Sequence, residues 1–292
     1  FMVGVNILKY IGPFLRINKV NPANIKNQLF YLSKESLKEI VLHSECGVST
    51  PVKELDIKNI PNFDINTFKG VSPLICIYRK ANPVLINMDN KLCWNQDKFK
   101  KEINIDSNTL MTLCLLELSD YYNLFNNIDK KNYNLGKLYE FLCKNQLKFY
   151  ALHFRNNEGV FTDKKLEDDS LMEDLKFADK NKKFKFSSQA LLMAAYYKCS
   201  TLLEGEERED FKNFSFDILN MLIKLKEDLY DLSFEELTKL CFGLNIFYSY
   251  SKDLTCKNLI LDISELIFEK FYSDNTLAES LRETDVENDS LN

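Results

Sequence analysis

From residue 106 onward the apolar positions recur at helical spacing. Phe211, Phe214, Ile218, Met221, Leu225 and Leu229 form one stripe, and Phe234, Leu237, Cys241, Leu244 and Tyr248 form another. Steps of three and four residues put such side chains on one face of an α-helix and leave the charged residues to water. Six helices are predicted on this basis, over 106–127, 134–154, 187–204, 208–229, 233–252 and 255–272, the fifth opening on a capping box from Ser233 to Glu236. Short connections between them predict antiparallel hairpins. The segments Leu110 to Leu116 and Ala190 to Ala195 are apolar on nearly every side, which predicts that they lie inside, ringed by other helices.

The first hundred residues follow a different pattern, because all six prolines fall between positions 13 and 83 and break regular elements there. A helix over 33–46 is predicted from Ser33 as cap, the stripe of Leu37, Ile40 and Val41, and Gly47 after its last turn. Pro73 to Tyr78, Pro83 to Ile86 and Lys91 to Trp94 read as three short strands of an antiparallel meander, with turns at 80–82 and 87–90. The expected organisation is an irregular N-terminal region over 1–100, a helical domain over 101–273 and a disordered acidic tail over 274–292. The fold class is mainly α, as antiparallel helical hairpins or a bundle. An incomplete α/α toroid is a second arrangement of the same hairpins, and both follow a small region with one helix and a β-meander.

Composition sharpens this picture. Only 8 Gly and 6 Pro among 292 residues leave few breakers for a fold of many short strands. The balance of 38 basic against 43 acidic residues, a net charge of −5, supplies no field that would gather nucleic acid. Residues 1–15 are apolar but interrupted by Lys9 and Gly12-Pro13, so neither a signal peptide nor a membrane helix is expected, no membrane partner follows, and the cytoplasm is the expected location. Phe1 precedes Met2, which reads as the natural start. Eight cysteines stand singly, mostly inside apolar runs, as small core residues of a reduced compartment do.

Candidate chemistry is sparse. His43 and Cys46 make only half a zinc ligand set, so neither a metal nor a cofactor is expected. The chain has no GxGxxG, GxxxxGK[ST] or GxSxG pattern, which disfavours dinucleotide, P-loop and nucleophile-elbow chemistry. His153 reads as a helix-end histidine. Glu117 and Asp120 are the only charges between Ser107 and Tyr122, three residues apart on one helix face. In a cavity, one protonated and one ionised carboxyl would form an acid/base pair, oriented by Tyr121 or Tyr122. The structural alternative is that a lysine or a tyrosine hydroxyl partners them.

The loop from Asn156 to Asp163, read with Phe186 to Leu192 and Ala195-Tyr196-Tyr197, resembles helical-toroid carbohydrate enzymes of the N-acylglucosamine epimerase type over about residues 150–200. The resemblance implies that Glu158, Gln189, Tyr196 and Tyr197 stand near a sugar site in a central cavity. Two functional readings follow. The first is a non-catalytic, intracellular helical binding or scaffold protein that receives a protein or a small polar ligand. The second is a carbohydrate-active or other small-molecule enzyme that uses carboxylates in a helix-lined cavity.

Overall fold

The computed structural model describes residues 21–43, 84–88, 91–95, 98, 100, 102–167, 176–181 and 183–273. The protein is mainly helical, with a small antiparallel sheet of three strands. Helix α1 (Pro22–Lys38) runs into a π-helical turn, Glu39–His43. It starts eleven residues before the predicted 33–46, because Asn21 accepts the Ala23 amide as N-cap and Pro22 occupies the first helical turn. That pair is a start signal stronger than Ser33, which lies inside the helix. Gly47, Cys46 and the strand expected over 73–78 lie outside the described residues.

Strands β1 (Leu85–Met88) and β2 (Lys91–Trp94) pair antiparallel, so the expected hairpin is present, with Leu85 opposite Trp94 and Met88 opposite Lys91. The ladder continues into Asn87 and Met88, which the sequence assigned to a turn. A second sheet was not expected. It joins β3 (Glu102–Ile103), β4 (Lys164–Leu166) and β5 (Phe177–Asp179) in the order β3-β4-β5. Strands of two or three residues carry too few positions for a period of two to show.

The helical part consists of α2 (Ile105–Asn123), α3 (Lys130–His153), α4 (Phe186–Ser200), α5 (Gly205–Lys224), the single turn α6 (Lys226–Leu229), α7 (Phe234–Ser251) and α8 (Leu254–Ser273). The helix predicted over 208–229 is therefore split at Leu225, whose backbone leaves the helical region. Asn104, Asp129 and Ser233 cap α2, α3 and α7 by accepting amides of their first turns.

The contacts arrange these helices as three hairpins in two layers. Asp106 at the start of α2 meets Lys185 and Ser188 at the start of α4, and Asp120 near the end of α2 meets Lys198 near the end of α4. Glu236 at the start of α7 likewise bonds Ser187. Helices α2, α4 and α7 therefore run parallel, and α3, α5 and α8 return behind them. Lys144 and Lys148 of α3 reach Glu207 of α5, and Lys226 reaches Asp262 of α8 across the second layer.

Helix α4 occupies the middle, packed against α2, α5 and α7, and every one of its residues except Tyr197 is buried. The expectation that Ala190 to Ala195 lies inside is met; α2 buries Met111, Thr112, Leu113, Leu115 and Leu116 but exposes Leu110 and Cys114, so one side of it faces water and it is not ringed by other helices as expected. Two glycines let the parallel and antiparallel neighbours close in. A methyl group on Gly243 of α7 would lie 2.8 Å from the Ala190 Cβ and 2.9 Å from the Leu191 nitrogen. A methyl group on Gly136 of α3 would lie 2.8 Å from the Tyr122 Cβ, where Ser119 Oγ donates to the Gly136 carbonyl at 3.0 Å.

Gly243→Ala is expected to lower the unfolding free energy by about 1 to 3 kcal/mol, because the facing atoms are helix backbone and cannot give way. Alanine in an open helix would instead stabilise by about 1 kcal/mol. Urea unfolding measures the sign, and a stabilised variant would show that α7 can withdraw from α4.

Candidate functional site

Polar side chains collect at the two ends of the α2, α4 and α7 layer. At the N-terminal end α4 has no capping side chain of its own. Glu236 supplies one from α7, accepting the Ser187 amide and hydroxyl, each at 2.9 Å. Its carboxylate is thus drawn away from the expected capping box, of which the Ser233 half is formed by the Glu236 amide. Asp106 accepts the Ser188 hydroxyl, and Asp163 accepts the Ile105 amide at 2.9 Å. The carboxylates of Glu236 and Asp163 thus satisfy orphan amides at the starts of α4 and α2 and, with Asp106, face the positive ends of the helix dipoles. Burial alone would lower the Lys185 ammonium, but Asp106, Asp163 and Glu236 around it hold it above its ordinary value.

At the opposite end Lys198 pairs with Asp120, and its ammonium lies 3.7 Å from Glu117 and 4.6 Å from the centre of the Tyr250 ring. Tyr250 donates its hydroxyl to Glu117. The side chain of Lys198 is only 7% exposed, whereas those of Glu117 and Asp120 are 54% and 42% exposed. The two carboxylates are thus not a buried pair. They stand at a rim and neutralise one buried ammonium, the structural arrangement that the sequence left open. Lys198 was missed, although the signal was the same one: it is the only charge in α4.

Tyr121 and Tyr122 are brought together with α1, not with Glu117 and Asp120. Tyr121 meets Phe30 and Phe125 edge to face, and Tyr122 packs beside Tyr139 with Lys34 6.0 Å from its ring centre. Gln189 and Tyr196 meet around Phe161. The Gln189 amide donates to the Phe161 carbonyl at 2.8 Å and accepts the Phe161 amide at 3.1 Å, pinning the 155–161 turn to α4. Tyr196 donates to the Leu147 carbonyl at 2.6 Å, and burial pushes its phenol upward. Tyr197 faces the other way, edge-on to Phe216 and Phe247. Glu158 is exposed on a turn that Asn156 closes by accepting its amide, with Gly159 at φ +83°.

Lys164 of β4 is the second buried lysine among the described residues, bonded to Asp179. Burial would raise the Asp179 carboxyl, but the hydrogen bonds from Lys164 and Thr162 bring it below its ordinary value. His153 closes α3 against the rings of Phe149 and Phe177, 4.2 and 5.7 Å away, and burial lowers its pKa. Among the described residues no three His, Cys, Asp or Glu side chains group as metal ligands, and no helix is long and apolar enough to cross a membrane. Cys114, Cys143, Cys199, Cys241 and Cys256 are free thiols.

None of the protein families, curated proteins or solved structures compared with the chain matches it. The arrangement described above therefore stands on its own geometry.

Two measurements check this account. Lys198→Met is expected to change stability by no more than about 1 kcal/mol, since it leaves two hydrated carboxylates behind. The pair Glu117→Gln and Asp120→Asn, which strands a buried ammonium, is expected to cost about 3 to 5 kcal/mol. The second measurement concerns His153. A folded-state pKa below the ordinary 6.5 means that below pH 6.5 the unfolded chain takes up a proton the native state resists. The stability present above pH 6.5 is then lost as pH falls below it. His153→Phe should flatten that slope in unfolding titrations, and an unchanged slope would assign it elsewhere.

Proposed function

We propose that the chain is a non-catalytic helical binding protein that receives an apolar helix of a partner protein along α1. One observation carries this reading: α1 is apolar on two sides, and among the described residues only one of them is docked. Phe30 and Lys34 pack on Tyr121 and Tyr122, with Leu37 and Val41 continuing the same line. Ile25, Leu29 and Leu32 form a second line at steps of four and three, and all are exposed. No residue of α1 is buried, so its second stripe offers apolar area that a facing helix would take out of water.

The side chains with chemical potential support a binding role better than a catalytic one. Gln189, Tyr196, Lys198 and Glu236 each hold one element of the fold to another. Free cysteines in the core support a reducing compartment as the working environment. The carbohydrate-enzyme reading would need carboxylates facing an enclosed substrate, whereas Glu117 and Asp120 are committed to Lys198.

A benzophenone side chain placed at Leu32 in living cells is expected to give one discrete adduct, which Leu29→Glu removes with melting temperature unchanged. An adduct that survives Leu29→Glu, or a variant that loses stability, overturns the reading. An adduct with the mass of two chains is self-pairing and counts against it as well.

A further inference from the structure

Helix α8 is apolar on two sides, like α1, but its outer pattern has an internal symmetry. Cys256, Leu259 and Ile263 are buried toward the rest of the fold. On the opposite side Leu254, Leu261 and Phe268 are 70%, 52% and 62% exposed. They are seven residues apart, a spacing that drifts only about 20° per step around a straight helix. The stripe therefore runs along about 21 Å of the surface at 1.5 Å per residue. The residues beside it are polar and exposed: Lys257 and Asn258 on one half, Ser264 and Glu265 on the other.

We infer that this face pairs with the same face of a second copy of the chain, the two α8 helices lying antiparallel with the symmetry axis at Leu261. A two-fold contact is isologous, so each residue is matched by its mirror position about the axis. Counting outward from Leu261 sets Asn258 level with Ser264, Lys257 level with Glu265 and Leu254 level with Phe268. Apolar residues then meet apolar ones, and each lysine meets a glutamate at two equivalent places. A parallel pairing would set Lys257 beside Lys257 and Glu265 beside Glu265, and like charges at a seam are unfavourable. The charges thus choose both the partner and its direction.

This inference uses α8 alone and does not rest on the role proposed for α1. The contact is one helix wide, below the size of a standard stable interface. The dimer is accordingly weak, with a dissociation constant on the order of micromolar.

Sedimentation velocity on the full chain, from low to several hundred micromolar protein, tests it. The expected result is a concentration-dependent shift from the monomer to twice its mass. Leu261→Glu should remove the shift with the melting temperature unchanged. Lys257→Glu should weaken association at least tenfold, and Lys257→Glu combined with Glu265→Lys should restore it, because the antiparallel seam again matches opposite charges. A chain that stays monomeric throughout overturns the proposal. So does a dimer indifferent to Leu261→Glu, or a double variant that fails to recover, since parallel pairing gains nothing from the exchange.

Discussion

Everything else in this structure depends on how closely α7 approaches α4. The two backbones meet where Gly243 faces Ala190, with no room for even a methyl group on the glycine. At that separation α4 has no free side left, and all but one of its residues are removed from water. A helix enclosed this way can only be Ala, Leu, Met, Ser and a few larger side chains fitted into gaps, which is what Phe186 to Ser200 contains. Its two ends are where it meets charged partners. Glu236 and Asp106 take the start, and the ammonium of Lys198, placed near the negative end of the helix, meets Asp120.

The same constraint explains which residues looked like a site and what they do. A charge or amide in an apolar helix has to be satisfied at the point where it is buried. Lys198 is satisfied by Asp120 and Glu117, and Gln189 by both backbone groups of Phe161. Thr112 does the same inside α2, donating to Gln146 at 2.7 Å and lying 3.2 Å from the Tyr150 hydroxyl. A polar residue isolated in an apolar run marks an obligation to bond, and the neighbours that meet it come from distant sequence.

The helices and their enclosure were legible because each rests on a period or on its absence over a dozen or more residues. The stripes of α5 and α7 showed amphipathic faces, and the uniform apolarity of Ala190 to Ala195 showed a centre. What stayed hidden lives at single positions. Gly136 and Gly243 look like weak points of α3 and α7 until Tyr122 and Ala190 are seen facing them. The ion pair at Lys198 joins residues 78 apart in the chain. The Asn21-Pro22 start was readable but overlooked, whereas β3 to β5 are too short to announce themselves.

The clamp of Gln189 on Phe161 ties the connection between α3 and α4 to the core. Its amide satisfies the N–H and C=O of one loop residue as a neighbouring strand would, from a side chain rooted in the most enclosed helix. The turn at 155–161 is thereby anchored at Phe161, and releasing it leaves a buried backbone amide and carbonyl and the Gln189 side-chain oxygen unpaired until water reaches them. Opening at this point of the connection therefore carries a cost that a turn bonded only to itself does not.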